Sequence, residues 1–355
     1  MAPYEWYNQT DYLSNYSIIL PFETNWDRLE HYAFYRRYGK VCAYWTAVFY
    51  IIGIYILQKV MFYRERGFNL RLPLTLFNFG LALFSIVGFA RMLPEFTRSL
   101  YRHGFEHSVC IASYTQDHVF TFWIKLFCWS KQIELIDTLF LILRKRPVTF
   151  LHWYHHATVL VFTWHGMHTL TAAGRWFATM NYGIHAIMYS YFTWRSLGYG
   201  CPRWISMSIT SLQLSQMVAG CTLGYTIFKV KARGGQCHHT WENLYMAIAI
   251  YSTYLYLFAR YFYFAYIKKA TSKKPVAVPK AENKQGMGQV KSPSGKGAEK
   301  EVDATRYRLV LVANSNEYDY HKIKFETSGA GRRRKLSNRL QTEAVLITDY
   351  LKKRA

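Results

Sequence analysis

Apolar segments of membrane length dominate the middle of this chain and constrain its fold more than any other feature. A helix needs about 20 mostly apolar residues to cross a bilayer, and six or seven segments between residues 41 and 267 reach about that length. We assign seven: Val41–Phe62, Leu72–Met92, Asp117–Ile133, Phe150–Thr169, Trp176–Ser196, Pro202–Phe228 and Asn243–Ile267. Glu134–Leu143 is predicted to extend the third span toward the cytosol. The sequence therefore predicts an all-α integral membrane protein with seven transmembrane helices.

The average composition conceals two unlike parts. Of the 355 residues, 51% are hydrophobic and 18% aromatic, yet the mean hydropathy is only −0.08. Residues 271–355 hold 19 Lys and Arg against 9 Asp and Glu, so they carry +10 of the net charge of +23. We predict an N-terminal segment (1–36), a membrane domain (37–269) and a basic, largely disordered tail (270–355). Such a tail fits an anionic lipid bilayer as partner, and no nucleic-acid recognition module accompanies its charge.

Signals at the two ends of the chain predict its orientation. Met1–Tyr38 lacks the apolar core of a signal peptide and contains glycosylation sequons at Asn8 and Asn15. These favour a luminal N-terminus, and an odd number of spans then places the C-terminus in the cytosol. Lys352 and Lys353 stand fourth and third from the end and resemble a dilysine retrieval signal. We therefore expect a multi-pass protein of the endoplasmic reticulum membrane, although such a lysine pair also arises by chance in a basic tail.

Three histidines lie inside the fourth apolar segment. His152, His155 and His156 fall at positions i, i+3 and i+4, so a helix places them on one face. Titratable side chains in a membrane-length segment are costly to bury and usually mark a functional site. A single buried histidine would more simply be a satisfied core residue, but three on one stripe favour a site.

Further polar residues recur on the neighbouring spans. They are Lys131, Glu134 and Asp137 on the third, Asn181, His185 and Tyr189 on the fifth, and Gln213 and Gln216 on the sixth. Taken singly, they could be an ion pair at the membrane edge or hydrogen bonds between helices. Taken together, on four helices and mostly toward one end of the spans, they predict one polar chamber open to the cytosol.

The order and spacing of these motifs resemble the ELO family of very-long-chain fatty acid elongases. The resemblance covers about residues 35–270 and rests on KxxExxDT at 131–138, HxxHH at 152–156, NxxxH at 181–185 with MYSY at 188–191, and QxxQ at 213–216. It implies seven helices around an acyl tunnel and a 3-oxoacyl-CoA synthase. That enzyme joins acyl-CoA with malonyl-CoA and releases CO2 and CoA. The form HWYHH is similar to the subfamily that acts on saturated and monounsaturated long chains.

The same resemblance implies roles for individual residues. His155 would accept the acyl group, His185 would be the second catalytic histidine, and His152 and His156 would orient or polarise it. The implied substrate-binding residues are Lys131, Glu134, Asp137, Asn181, Tyr189, Gln213 and Gln216. Arg144, Lys145 and Arg146 would meet CoA phosphates, although the positive-inside rule explains these charges without a ligand. Arg64, Arg66 and Arg71 are further candidates of the same kind.

The remaining implications concern the lumen and the partners. Cys110 and Cys237 fall in predicted luminal loops, where a disulfide can persist, and they resemble the luminal cysteine pair of that subfamily. No cofactor or metal is expected. Expected partners are the 3-oxoacyl-CoA reductase, 3-hydroxyacyl-CoA dehydratase and enoyl-CoA reductase of the elongation cycle, and a homodimer is compatible with the sequence.

Two other functions share parts of this pattern. A membrane di-iron desaturase or hydroxylase also uses an HxxHH box, but it needs about eight histidines, because imidazole ligands hold both irons. Only His165 and His168, or His238 and His239, could supplement the box. A seven-span receptor or channel would leave the one-sided polar cluster unexplained. Lys125 and Arg260, deep in the third and seventh spans, depart from the family pattern, as does the long tail.

Overall fold

The computed structural model describes residues 14–268 as a bundle of helices. The helices are α1 (Pro21–Thr24), α2 (Arg28–Phe34), α3 (Lys40–Phe62), α4 (Arg71–Cys110), α5 (His118–Ile133), α6 (Ile136–Leu143), α7 (Phe150–His168), α8 (Gly174–Ser196), α9 (Arg203–Ala232) and α10 (Trp241–Phe262). A π-helical turn, Tyr35–Gly39, joins α2 to α3. A second π-helical segment, Tyr263–Lys268, follows α10. The predicted sites at Asn8, Lys352 and Lys353, and the predicted tail 270–355, lie outside the described residues.

The helix bounds follow the apolar segments to within a few residues, with one large difference. Helix α4 was expected to end near Met92 but continues to Cys110, with a kink where Gly104 adopts a φ of +82°. The extension is held by Glu95, which is buried against the Arg175 guanidinium of α8 at 2.8 Å. The apolar pattern could not reveal this extension because its inward face carries charge.

The long helices pack against one another in pairs, and the bundle they form has two distinct ends. Helix α4 packs mainly on α8, α9 on α10, and α3 on α7. At one end, which we call the disulfide end, the sulfur atoms of Cys110 and Cys237 are bonded. At the other, which we call the box end, α7 begins one turn before the three histidines.

Two glycines permit the closest helix contacts. A Cβ atom at Gly88 of α4 would overlap the ring of Tyr182 on α8, and one at Gly220 of α9 would overlap the ring of Tyr251 on α10. Protein interiors are packed as densely as organic crystals, so these rings fill the space that the missing side chains leave. The contacts set the spacing of α8 and α10 around the interior.

The N-terminal segment is fastened to the bundle by a buried carboxylate. Glu23 of α1 accepts hydrogen bonds from Arg91 Nε and Trp123 Nε1, both at 2.8 Å. Burial alone would raise the pKa of this carboxyl, but the hydrogen bonds from Arg91 and Trp123 outweigh it and hold the pKa below its usual range. The segment is therefore tied to α4 and α5 at the disulfide end.

The outer surface of the bundle is apolar. Large side chains are more than half exposed along α3 and α4, among them Phe49, Tyr55, Leu72 and Leu76. An apolar surface of this extent is unusual for a monomer in water. By length and mean hydropathy, two helical runs within the described residues qualify as membrane spans, Arg28–Phe62 and Arg71–Cys110.

Candidate active site

Four polar side chains from α5 and α8 meet inside the bundle. Lys131 Nζ donates to Glu134 Oε1 at 2.7 Å and to Asn181 Oδ1 at 2.8 Å. His185 Nδ1 lies 3.6 Å from the same Glu134 oxygen. Lys131, Glu134 and His185 are buried, so the structure brings these four predicted site residues together.

Burying this ion pair costs free energy, and hydrogen bonds to one of its two carboxylate oxygens offset that cost. Burying two opposite charges loses their hydration, which good geometry and further hydrogen bonds must offset. Ser130 Oγ supplies one more hydrogen bond to Glu134 Oε1, at 3.2 Å. The other carboxylate oxygen, Oε2, is buried without a hydrogen-bond partner among the described residues. An orphaned acceptor of this kind is rare in protein interiors and marks a place where a donor group could bind.

A tightened turn between α5 and α6 presents the acidic residues. Leu135 N bonds to Gln132 O and Asp137 N bonds to Glu134 O, both of the i to i+3 type, at 3.2 and 3.1 Å. This turn brings Asp137 toward α8, where its Oδ2 accepts from Tyr189 OH at 2.8 Å. The Tyr189 ring in turn lies 5.4 Å from that of His185.

The local sequence fixes the histidine box at the start of α7. Pro147 disfavours a continuation of α6, and the Thr149 side chain caps α7 by accepting from His152 N at 3.3 Å. The His152 and His156 rings then contact each other along the helix, with centroids 4.4 Å apart and ring planes inclined by 51°. His155 projects to the side, its ring 5.6 Å from that of His156.

His155 faces the polar side chains of the neighbouring helices. It interacts electrostatically with His185, Lys131 and Glu134. On its other side, the ring of Tyr254 on α10 lies at 5.0 Å, and the Tyr254 hydroxyl donates to the His155 carbonyl oxygen at 3.2 Å. The box and the cluster around Lys131 therefore form one buried polar site.

The remaining predicted binding residues lie on α9 and in the loop after α6. Gln216 is buried on α9. Gln213 donates to the sulfur atom of Met188 at 3.3 Å and so sits at the contact of α8 with α9. The three basic candidates follow α6 directly in the loop Arg144–Arg146, within a few residues of His152.

Residues 37–274 match the model of the ELO family, described as GNS1/SUR4. The chain belongs to the ELO family. It is 45% identical over 289 residues to putative fatty acid elongase 3 of Caenorhabditis elegans, an alignment that covers 80% of this chain and 88% of that protein. It is 45% identical over 262 residues to very long chain fatty acid elongase 6 of Drosophila melanogaster, covering 71% and 80%. Identity to human very long chain fatty acid elongase 3 is 42% over 229 residues, covering 63% and 84%.

In this ELO-family protein, hydrogen bonds and backbone contacts join the loops at the box end. Lys145 Nζ donates to the Arg64 carbonyl oxygen, and Arg71 Nε donates to the Ser196 carbonyl oxygen at 2.9 Å. A Cβ atom at Gly67 would overlap the backbone of Arg144, so the two loops lie in direct contact. Basic residues after α3, at the start of α4 and after α6 therefore lie at the box end.

The four histidines that a di-iron site would need in addition to the box lie at the disulfide end. His238 Nδ1 accepts from Ala112 N and His239 Nε2 accepts from Ala173 N, both at 3.1 Å. His165 and His168 lie in the last turn of α7. These four rings are therefore at the opposite end of α7 from the box, and residues 14–268 contain no group of three or more His, Cys, Asp or Glu placed to hold a metal.

The sequon at Asn15 and the two unexpected cations make no contact with the predicted site residues among the described hydrogen bonds and ion pairs. Asn15 is exposed between Ser14 and Tyr16. Lys125 places its ammonium group 4.2 Å from the ring centre of Trp26 in the N-terminal segment. Arg260 is exposed and stacks over Phe264 at 5.5 Å.

Sequence reasoning missed the tyrosines that support the box. Tyr254 bonds to the Thr158 hydroxyl at 2.6 Å as well as to His155, and Tyr50 of α3 bonds to Thr138 at 2.7 Å. The chain contains 30 tyrosines, and those on apolar helices resemble lipid-facing residues. Thr138 does carry a signal, because it ends the KxxExxDT motif.

Proposed function

We propose that this protein is the condensing enzyme of fatty acid elongation. It would join a long-chain acyl-CoA with malonyl-CoA to give 3-oxoacyl-CoA, CO2 and CoA. The relatives named above are fatty acid elongases, and the observation that carries the chemistry is the buried Lys131–Glu134–Asn181–His185 cluster beside His155. No cofactor beyond the two thioesters is needed.

In the first half-reaction, a ring nitrogen of His155 attacks the thioester carbonyl carbon. The carbon–sulfur bond breaks, the thiolate takes the proton that the imidazole ring gives up, and free CoA leaves an acyl-imidazole behind. Splitting one difficult transfer into two easier steps is the general advantage of a covalent intermediate. His185, held beside Glu134 at 3.6 Å, is placed to move the proton.

In the second half-reaction, malonyl-CoA loses CO2 and its enolate carbon attacks the acyl carbon. The bond to His155 breaks, its ring nitrogen takes up a proton from solvent to restore the neutral imidazole, and the product is two carbons longer. Developing negative charge on the thioester oxygen needs donors that are already oriented. The Lys131 ammonium and the Asn181 amide are held in place by their mutual hydrogen bond at 2.8 Å and fit that role.

An acyl-imidazole survives only where water is excluded. Toward the disulfide end, residues of α5, α7, α8 and α10 line a small cavity of about 40 Å³. Its walls are mainly apolar, with Phe127, Phe162 and Met167 among them. We propose that the acyl chain runs along these apolar walls, which move apart to admit it, because the cavity as it stands has room for about one water-sized group.

The apolar surface supports a placement in the membrane. Seven segments would cross the bilayer, namely α3, α4, α5 with α6, α7, α8, α9 and α10, with the N-terminus in the lumen of the endoplasmic reticulum. The basic loops at the box end would then face the cytosol, in line with the positive-inside rule, and would meet CoA phosphates through Arg144, Lys145 and Arg146. The other elongation-cycle enzymes would act on the product there.

Turnover of the purified protein with malonyl-CoA and a panel of acyl-CoAs tests the proposal. We expect a 3-oxoacyl-CoA two carbons longer, best with saturated or monounsaturated long chains, and loss of turnover in His155→Ala. His168→Ala, on the same helix but at the disulfide end, is the matched control and should retain most activity. Iron-dependent desaturation without malonyl-CoA consumption would instead identify the di-iron alternative.

A further inference from the structure

A chain of two hydrogen bonds links α3 to the histidine box through α6. Tyr50 OH lies 2.7 Å from Thr138 Oγ1, and Thr138 Oγ1 lies 2.9 Å from His152 Nε2. Thr138 is buried, and Tyr50 and His152 are half-buried. Tyr50 lies near the middle of α3, a 23-residue helix. The two hydrogen bonds therefore connect three helices, α3, α6 and α7.

Counting the available protons shows which atoms donate in these two hydrogen bonds. Each hydroxyl has one proton to donate, and a neutral imidazole has one donor and one acceptor nitrogen. If Tyr50 donates to Thr138 and Thr138 donates to His152, both hydroxyl protons are used and Nε2 is an acceptor. If His152 Nε2 donates instead, three protons share two hydrogen bonds, and one of the two hydroxyl protons is left without a partner among the described residues.

The environment of Tyr50 favours the first direction. At mid-helix, water is scarce for a membrane-spanning α3, and an unpaired hydroxyl donor in apolar surroundings costs free energy. The arrangement that uses every donor is therefore the more stable one.

We infer that Tyr50 is a positioning residue, which acts through Thr138 to hold His152 in the tautomer that carries its proton on Nδ1. The consequence for catalysis rests on the proposed function. With Nε2 occupied, His152 presents a fixed N–H donor from Nδ1, for which the described residues supply no other partner. A fixed donor suits a developing oxyanion, because it needs no reorientation during the reaction.

The effect extends to the rest of the box through ring contacts. The ring centroids of His152 and His156 lie 4.4 Å apart, and those of His156 and His155 lie 5.6 Å apart. A His152 ring that rotates to exchange its hydrogen bonds would disturb both neighbours. Tyr50 and Thr138 therefore fix a tautomer and a ring orientation together, as second-layer partners do for histidines at metal sites.

The test reads the tautomer directly. In full-length protein labelled with 15N-histidine and reconstituted in bilayers, the His152 ring signals are identified as those missing from His152→Gln. Wild type should show protonated Nδ1 and unprotonated Nε2. Tyr50→Phe should give both tautomers, and Thr138→Val should move the proton to Nε2, whereas Thr138→Ser should keep the wild-type signals.

Kinetics separate positioning from simple packing. Tyr50→Phe and Thr138→Val should slow acyl transfer about tenfold, the usual size of an outer-layer effect, with KM for acyl-CoA within twofold of wild type. Tyr55→Phe is the matched control, since Tyr55 is on the same helix and 58% exposed, and it should change neither readout. His152 signals unchanged in both variants, or a changed tautomer with unchanged rate, would overturn the inference. Absence of malonyl-CoA-dependent turnover in wild type would refute the proposed function and leave the tautomer measurement interpretable.

Discussion

The ammonium group of Lys131 lies 2.7 Å from the Glu134 carboxylate, and both side chains are buried inside the bundle. The pair is one helical turn apart on the chain, but it is anchored from outside by Asn181 and His185 on α8. An ion pair that is removed from water and shared between helices contributes little to stability by itself. Its presence inside the bundle fits the role in binding or chemistry proposed above.

Removing one charge of this pair should damage both stability and activity. Glu134→Gln leaves the Lys131 charge buried without an opposite charge, which should lower the free energy of unfolding by about 3 kcal/mol. Thermal unfolding of the purified protein measures the loss, and turnover should fall with it.

The double variant Lys131→Met with Glu134→Leu distinguishes the two effects. It replaces the pair by apolar side chains of similar size, so stability should return to near the wild-type value while turnover stays lost. Activity in the double variant would contradict a role for the pair in the reaction.

The disulfide between Cys110 and Cys237 should be a major source of stability at its end of the bundle. It joins residues 127 positions apart, and in the chain-entropy model a loop of that size contributes about 5 kcal/mol. Cys110→Ser should therefore lower the unfolding temperature, whereas Cys201→Ser, a free cysteine in the α8–α9 loop, should not. Peptide mapping without reduction checks the bond itself, and free thiols at both positions would refute it.

The close contact of α4 with α8 should depend on one glycine. Gly88→Ala places a methyl group against the Tyr182 ring and should destabilise the protein by about 1–3 kcal/mol. Gly80→Ala, on the same helix with nothing within 4 Å of the new atom, should be neutral or stabilising, because alanine is the better helix former. Equal unfolding temperatures for the two variants would contradict the packing described.

The sequence predicted the helices well, because long apolar runs and their polar breaks are local signals. It also identified the polar residues of α5, α7 and α8, since charges and histidines stand out against an apolar background. The extension of α4 was missed because the buried charge of Glu95 is stabilised by Arg175, which lies 80 positions later in the chain. Tyr50 and Tyr254 were missed for the same reason, as only their distant partners distinguish them from other tyrosines. Gln213 resembled a site residue, yet its hydrogen bond goes to Met188.

The most direct test of the proposed mechanism is a single-turnover experiment with acyl-CoA alone. The purified protein should release one equivalent of CoA and gain the mass of one acyl group on the peptide that contains His155. Malonyl-CoA added afterwards should discharge that mass as 3-oxoacyl-CoA, and His155→Ala should neither release CoA nor gain mass. Full acylation of His155→Ala would assign the acyl group to another residue, with His185 the next candidate. Release of CoA only when malonyl-CoA is present would contradict the covalent intermediate and leave the histidines as acid–base and binding groups in a direct condensation.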